Sequence, residues 1–206
     1  MTTFLSDLRY SKEVIFHPFD AFYELKFRGR GNTLVATLFY LLLGISAVIN
    51  IQFGGFLVTF VKLSEFNSAI VFTSILTPFI FFAIGNYSIT TLMDGKGRFG
   101  EIYNVIGYSL LPNIIFLLSA TIVSNFITMD ELEFYTLFIA AGNGITLFLI
   151  FVGLTVTHEY TFFRSLLSIL LSFVAVTLII FILLLMITLF SQLYGFVQIV
   201  ITELRN

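Results

Sequence analysis

Apolar residues in this chain come in long unbroken runs rather than in alternation: Thr33–Phe53, Ser68–Met93, Ile102–Asn125, Phe134–Thr157 and Ser165–Phe190. None of these stretches holds a Lys, Arg, Asp or Glu. Each is about the length, roughly 17 to 25 residues, that a helix needs to cross a hydrocarbon core. Unpaired backbone groups are too costly in hydrocarbon to be left open, so continuous runs predict helices, and the lack of alternation disfavours a barrel. The expected fold is all-α: a polytopic membrane bundle of about five transmembrane helices.

The flanks read differently. Residues 1–32 mix charges with apolar positions. Phe4, Leu5 and Leu8 share one helical face, and after Pro18 a second set, Phe19, Phe22 and Tyr23, recurs at helical spacing. Two short amphipathic helices are predicted, the second starting at His17-Pro18, either lying on the membrane surface or packing against the bundle. Residues 33–190 form the five-helix transmembrane domain, and the weakly amphipathic tail 191–206 is expected at the interface. The first long apolar run, starting near Thr33, is expected to act as an uncleaved insertion signal.

Composition agrees with a bilayer as solvent: 58% of the 206 residues are hydrophobic and 11% charged, against about 25% charged in soluble domains. Cysteine is absent, which removes disulfides, thiolate metal ligands and a Cys nucleophile. The ten Lys and Arg residues set the orientation. With the amino terminus inside, Arg9, Lys12, Lys26, Arg28, Arg30, Lys96, Arg98 and Arg164 fall on the cytoplasmic side, leaving Lys62 and Arg205 outside. The expected location is the cell membrane, amino terminus cytoplasmic and carboxyl terminus extracellular.

The densest cluster of polar and special-backbone residues is Asn86–Pro112. Within it Thr90-Thr91-Leu92-Met93-Asp94-Gly95-Lys96-Gly97 is followed by Gly107-Tyr108-Ser109-Leu110-Leu111-Pro112, and later by Thr157-His158-Glu159-Tyr160. On these motifs, with His17-Pro18-Phe19-Asp20 and Arg30-Gly31, the chain resembles the Yip1 family of integral membrane proteins, in a bacterial, Gram-positive-type form. The resemblance implies five spans and a cytosolic amino terminus. Eukaryotic relatives associate with prenylated Rab GTPases, but their Asp-Leu-Tyr-Gly-Pro motif is missing here, so Rab binding is not implied. Some bacterial members are similar to proteins encoded beside carbohydrate ABC-transporter components, which implies an accessory role.

Several residues need a reason to be where they are. Pro112, half way along the third span, cannot donate to the Tyr108 carbonyl and predicts a kink, either for packing or as a hinge beside a cavity; Pro78 has the same two readings. Asn113 and Asn143 lie roughly 18 and 21 Å from the cytoplasmic ends of their helices at ~1.5 Å per residue. They are expected to face the bundle interior and each other, as interhelical glue or as a polar path. Ala140 and Gly144, and Ser165, Ser168 and Ser172, read as close-packed seams.

Asp94-Gly95-Lys96-Gly97 fails as a phosphate loop, since position 90 is Thr and Gly97 replaces the Ser or Thr after Lys96. With Glu101, His158 and Glu159, residues Asp94 and Lys96 form a candidate cytoplasmic-loop contact, and Asp94 with His158 is the first pairing expected. A hydrolytic metal site of His158, Asp94 and Glu159 is the competing reading, without a second His to support it. Lys26, Arg28 and Arg30 sit where anionic headgroups attract cations.

These features point to a non-enzymatic scaffold or adaptor with no cofactor and no metal. Its partners are membrane lipids and a membrane protein, an ABC-transporter subunit in the specific version, with nucleic acid disfavoured. A small transporter or channel using Asn113, Asn143 and Pro112 is the alternative.

Overall fold

The computed structural model describes residues 2–59 and 66–205. Lys62 and the side chains of Phe4, Leu5 and Arg205, which entered the sequence reading, fall outside what is described. Helices α1 (Thr2–Phe16) and α2 (Pro18–Phe27) precede α3 (Thr33–Phe53), α4 (Ser68–Leu92), α5 (Phe99–Ser109), α6 (Leu111–Val123), α7 (Leu132–His158) and α8 (Phe162–Arg205), and no strand occurs among the described residues. Five segments are long and apolar enough to cross a membrane: α3, α4, α5 with α6, a short 3-10 turn at Met129–Glu131 with α7, and α8. The chain is an all-α polytopic membrane protein.

Local chemistry sets the helix starts. Pro18 occupies the first turn of α2, where its missing N–H costs nothing. Asn32 caps α3 by accepting the Leu34 N–H at 3.0 Å while donating to Asp7 of α1 at 2.9 Å. Asn67 caps α4 by accepting from Ala69 at 3.0 Å and Ile70 at 3.2 Å.

The amino-terminal helices use two faces. Ala21, Phe22 and Leu25 of α2 are buried, with Phe22 against α7 beside Gly153, while Phe19, Tyr23 and Phe27 form an exposed aromatic stripe at a spacing of four. Of the expected set, Phe22 therefore belongs to the bundle, and Phe19 and Tyr23 face out. Helix α1 is tied to α2 by Tyr10, whose hydroxyl donates to the Ala21 carbonyl.

Proline acts differently in its two spans. Helix α4 runs through Pro78 as one helix, but the third span divides between Ser109 and Leu111. There the Ser109 hydroxyl donates back to the Val105 carbonyl at 2.7 Å and Leu110 N–H tightens onto Gly107 at 3.2 Å. Pro112 then begins α6 within its first turn. The break lets α5 lean across α3 at Ala36 and Tyr40, with Tyr40 stacked on Tyr103 at 4.7 Å, while α6 packs on α7.

Helix α8 carries no break at Phe190, the boundary drawn from the sequence; residues 191–205 continue the same 44-residue helix. At ~1.5 Å per residue it is about 66 Å long. Its first part packs on α4 and less closely on α7, and from Leu178 to Ile201 its large apolar side chains are exposed on all sides but the partly covered Ile179 and Val200.

The α3–α5 crossing depends on Gly107, where a Cβ would lie 2.7 Å from Ala36 Cβ and 2.9 Å from Ala36 Cα. Gly107→Val is expected to cost about 1–3 kcal/mol by overpacking, read as a lowered thermal midpoint in detergent. Gly100→Ala, which opens onto free space, is expected not to lower it.

Candidate functional site

The turns α4–α5 and α7–α8 meet at one end of the bundle, and His158, the last residue of α7, is the side chain they close around. It is 2% exposed. Its Nδ1 accepts the Gly97 N–H at 3.3 Å and its Nε2 lies 3.3 Å from Asn86 Oδ1. An Nδ1 that accepts carries no proton, so the ring is the neutral Nε2–H tautomer donating to Asn86. Asn86 Nδ2 donates in turn to Ser172 Oγ at 3.0 Å, and Ser172 donates to the Ser168 carbonyl at 2.6 Å. One directional chain of donors thus ties the α4–α5 turn to α7, α4 and α8.

The glycines of Asp94-Gly95-Lys96-Gly97 exist for this ring. A Cβ on Gly97 would stand 2.7 Å from His158 Cε1 and 2.8 Å from Thr157 Cγ2, and one on Gly95 would stand 2.6 Å from Nδ1. Any larger residue would push the turn off the imidazole. Tyr160 covers the other side, stacked on His158 at 5.3 Å and donating to the Met93 carbonyl at 3.0 Å.

A charged ring surrounds this layer. Glu159 caps α7 with φ +54°, and its carboxylate meets Lys96 at 2.5 Å and Lys26 at 3.6 Å. The hydrogen bond from Lys96 holds the Glu159 carboxyl below the ordinary carboxylate range. Lys26, expected at lipid headgroups, turns inward instead: its side chain is 8% exposed and it donates to the Thr157 carbonyl at the negative end of α7. Arg28 and Arg30 stay at the surface, both paired with Glu24, at 2.7 and 2.9 Å.

The expected Asp94–His158 contact does not form. Asp94 has φ +56°, which turns its side chain outward to 96% exposure, 3.7 Å from Arg164. Arg164 lies over the Tyr160 ring and donates to the Met93 carbonyl. Glu101 turns to its own helix and accepts the Arg98 N–H at 2.9 Å as a cap. His158, Asp94 and Glu159 therefore do not converge on a metal, and among the described residues no group of three or more His, Cys, Asp or Glu is placed to hold one.

Within the spans, Asn113 donates to Asn143 at 2.7 Å, and Tyr108 and Pro112 are buried. Tyr108 accepts the Asn32 N–H through its hydroxyl at 3.4 Å. The interior position expected for the amide pair is corrected: Asn113 is half-buried and Asn143 is exposed on the outer face of α7. Ser165, Ser168 and Ser172 are buried, as a seam should be, but Ala140 and Gly144 face outward and the helix contact is made by Gly142 against Phe116. A further polar layer at the opposite end joins Asn50 to Thr121 at 2.8 Å and to Tyr135 at 3.3 Å. Sequence reasoning assigned no role to Asn86, Asn50 or Thr157. The available signal for Asn86 was an amide one turn before Thr90 near the end of a span.

Residues 12–197 match the family model of the Yip1 domain, and the chain belongs to that family. No curated protein and no solved structure matches the chain.

Because His158 is enclosed and Asp94 is not, the two should respond in opposite ways to truncation. His158→Ala strands the Gly97 N–H and Asn86 and is expected to cost about 1–3 kcal/mol, whereas Asp94→Ala stays within about 0.5 kcal/mol. Thermal midpoints in one detergent check both; equal losses would contradict the assignment of His158 as the centre of the layer.

Proposed function

We propose that this Yip1 domain protein is a non-enzymatic membrane scaffold that docks a partner membrane protein along the free length of α8. The observation that carries the reading is a mismatch of lengths. A hydrocarbon core of about 30 Å takes roughly 20 helical residues, so an upright α8 entering at Phe162 uses up the core near Ile182. Beyond it come Leu185, Met186, Leu189, Phe190, Leu193 and Phe196, all exposed. Ordinary tilts shorten this excess only in part. A continuous apolar surface that outruns the bilayer needs protein to cover it. Ser191 and Gly195, four apart, leave room for close approach of a second helix.

Two features support an adaptor over a transporter. The groove of about 320 Å3 between α4, α7 and α8, at Pro78, Phe82, Phe151 and Phe173, is lined only by apolar side chains. At the basic end His158, Asn86 and Lys26 are occupied in joining helices. The cation count supports placing that end in the cytoplasm, and the accessory role beside a carbohydrate ABC-type transporter is the specific form of the proposal.

The absence of native cysteine makes both parts testable. Photo-crosslinking residues at Leu185, Leu189 and Phe196 are expected to trap one protein partner in native membranes, and a transporter subunit would give the accessory form. Adducts to lipid alone at all three positions would overturn the docking role. Lys96→Cys and Arg164→Cys should react with an impermeant maleimide only after permeabilisation; labelling in intact cells would reverse the orientation.

A further inference from the structure

The outer face of α7 presents a polar group where the bilayer offers it nothing. Thr136, Ala140, Asn143 and Leu147 follow one another at spacings of four, three and four, all exposed on one stripe, with Gly144 beside them. A Cβ on Gly144 would meet no atom within 4 Å. Toward the 3-10 turn the same face dips into a groove of about 400 Å3 lined by Leu132, Glu133, Thr136, Leu137 and Ala140.

Asn143 sits mid-span, and the bond from Asn113 engages only its carbonyl oxygen. Its two N–H donors, and the carbonyl oxygen of Asn113, have no partner among the described residues. Amides in hydrocarbon are costly until such groups are paired.

We propose that this face binds a second copy of the chain, α7 against α7 in parallel about a two-fold axis normal to the membrane. Self-complementarity argues for a second copy over another partner. Each copy brings the idle donors of Asn143 and the idle acceptor of Asn113, so one rotation pairs both amides reciprocally, as an isologous interface requires. Spacings of four and three make a coiled-coil seam, in which one polar Asn fixes register and small residues bring the backbones close. Glu133 falls at the watery end of the seam, where two like charges are solvated. The surface is separate from that assigned to α8, and the inference does not rest on the adaptor reading.

The test uses the full chain, purified and reconstituted at low density in phosphatidylcholine vesicles, where a second copy is the one protein available. Ala140→Cys under mild oxidation is expected to give a disulfide-linked dimer, and Phe163→Cys, exposed at the start of α8 away from this face, is expected to give at least tenfold less. Adding Asn143→Leu should cut the Ala140→Cys yield by tenfold or more, while Asn143→Gln restores part of it. Single-molecule photobleaching of the labelled protein should show two-step traces that become one-step with Asn143→Leu. One-step traces for the unsubstituted chain, equal cross-linking at positions 140 and 163, or a dimer indifferent to Asn143→Leu would each overturn the proposal. Circular dichroism of the Leu variant guards against unfolding, and if it is unfolded, the Ala140→Cys against Phe163→Cys comparison decides alone.

Discussion

A polar group inside hydrocarbon has no water to fall back on, and the arrangement of this bundle depends on that constraint. Apolar side chains gain little by leaving lipid for one another, so helix positions rest on close packing and on amides that must find partners. At the basic end His158, Asn86 and Ser172 bind α7, α4 and α8; mid-span Asn113 and Asn143 bind α6 and α7; at the far end Asn50 joins α3 to α6 and α7. Between these layers glycines at crossings let backbones approach. Gly107 on Ala36 is the tightest of these on α5, and Gly153 admits the ring of Phe22 from α2.

The same logic explains how the polar residues divide. At the basic end those that join helices, His158, Asn86 and Ser172, are neutral and enclosed, while the charges form a ring outside them. Lys26 is the exception that links the two, reaching from α2 to the carbonyl end of α7 and to Glu159. The amino-terminal segment is therefore part of the bundle's closure at this end, with its aromatic stripe left to face the surroundings.

Much of this was legible in the sequence because its signals are one-dimensional. Run length defines a span, Pro18 marks a helix start, and counting residues puts Asn113 and Asn143 at one depth. What was not legible is which way a side chain turns. Asp94 and His158 lie at one end of the bundle, but Asp94 has a positive φ and its carboxylate faces outward, and no pattern in the letters announces that. Lys26, Arg28 and Arg30 look equivalent in a basic run, yet among them Lys26 is the one that donates to the carbonyl end of α7. The small residues around Asn143 read as a seam at Ala140 and Gly144, but Gly142 faces inward and those two outward, a matter of helix rotation that a near-uniform apolar run does not specify. The interior of α8 offers no Pro or charge to end it at Phe190, so the helix carries on.

That uninterrupted helix has a mechanical consequence. Ser165 and Ser172 tie its base to Thr155 of α7 and Asn86 of α4, and neither a proline nor a break interrupts it further along. It is a lever with its fulcrum in the polar layer: a tilt of about 10° at the base sweeps the far tip by roughly 10 Å, given ~1.5 Å of rise per residue. A shift of the two turns that tilted the base would be amplified at the opposite tip.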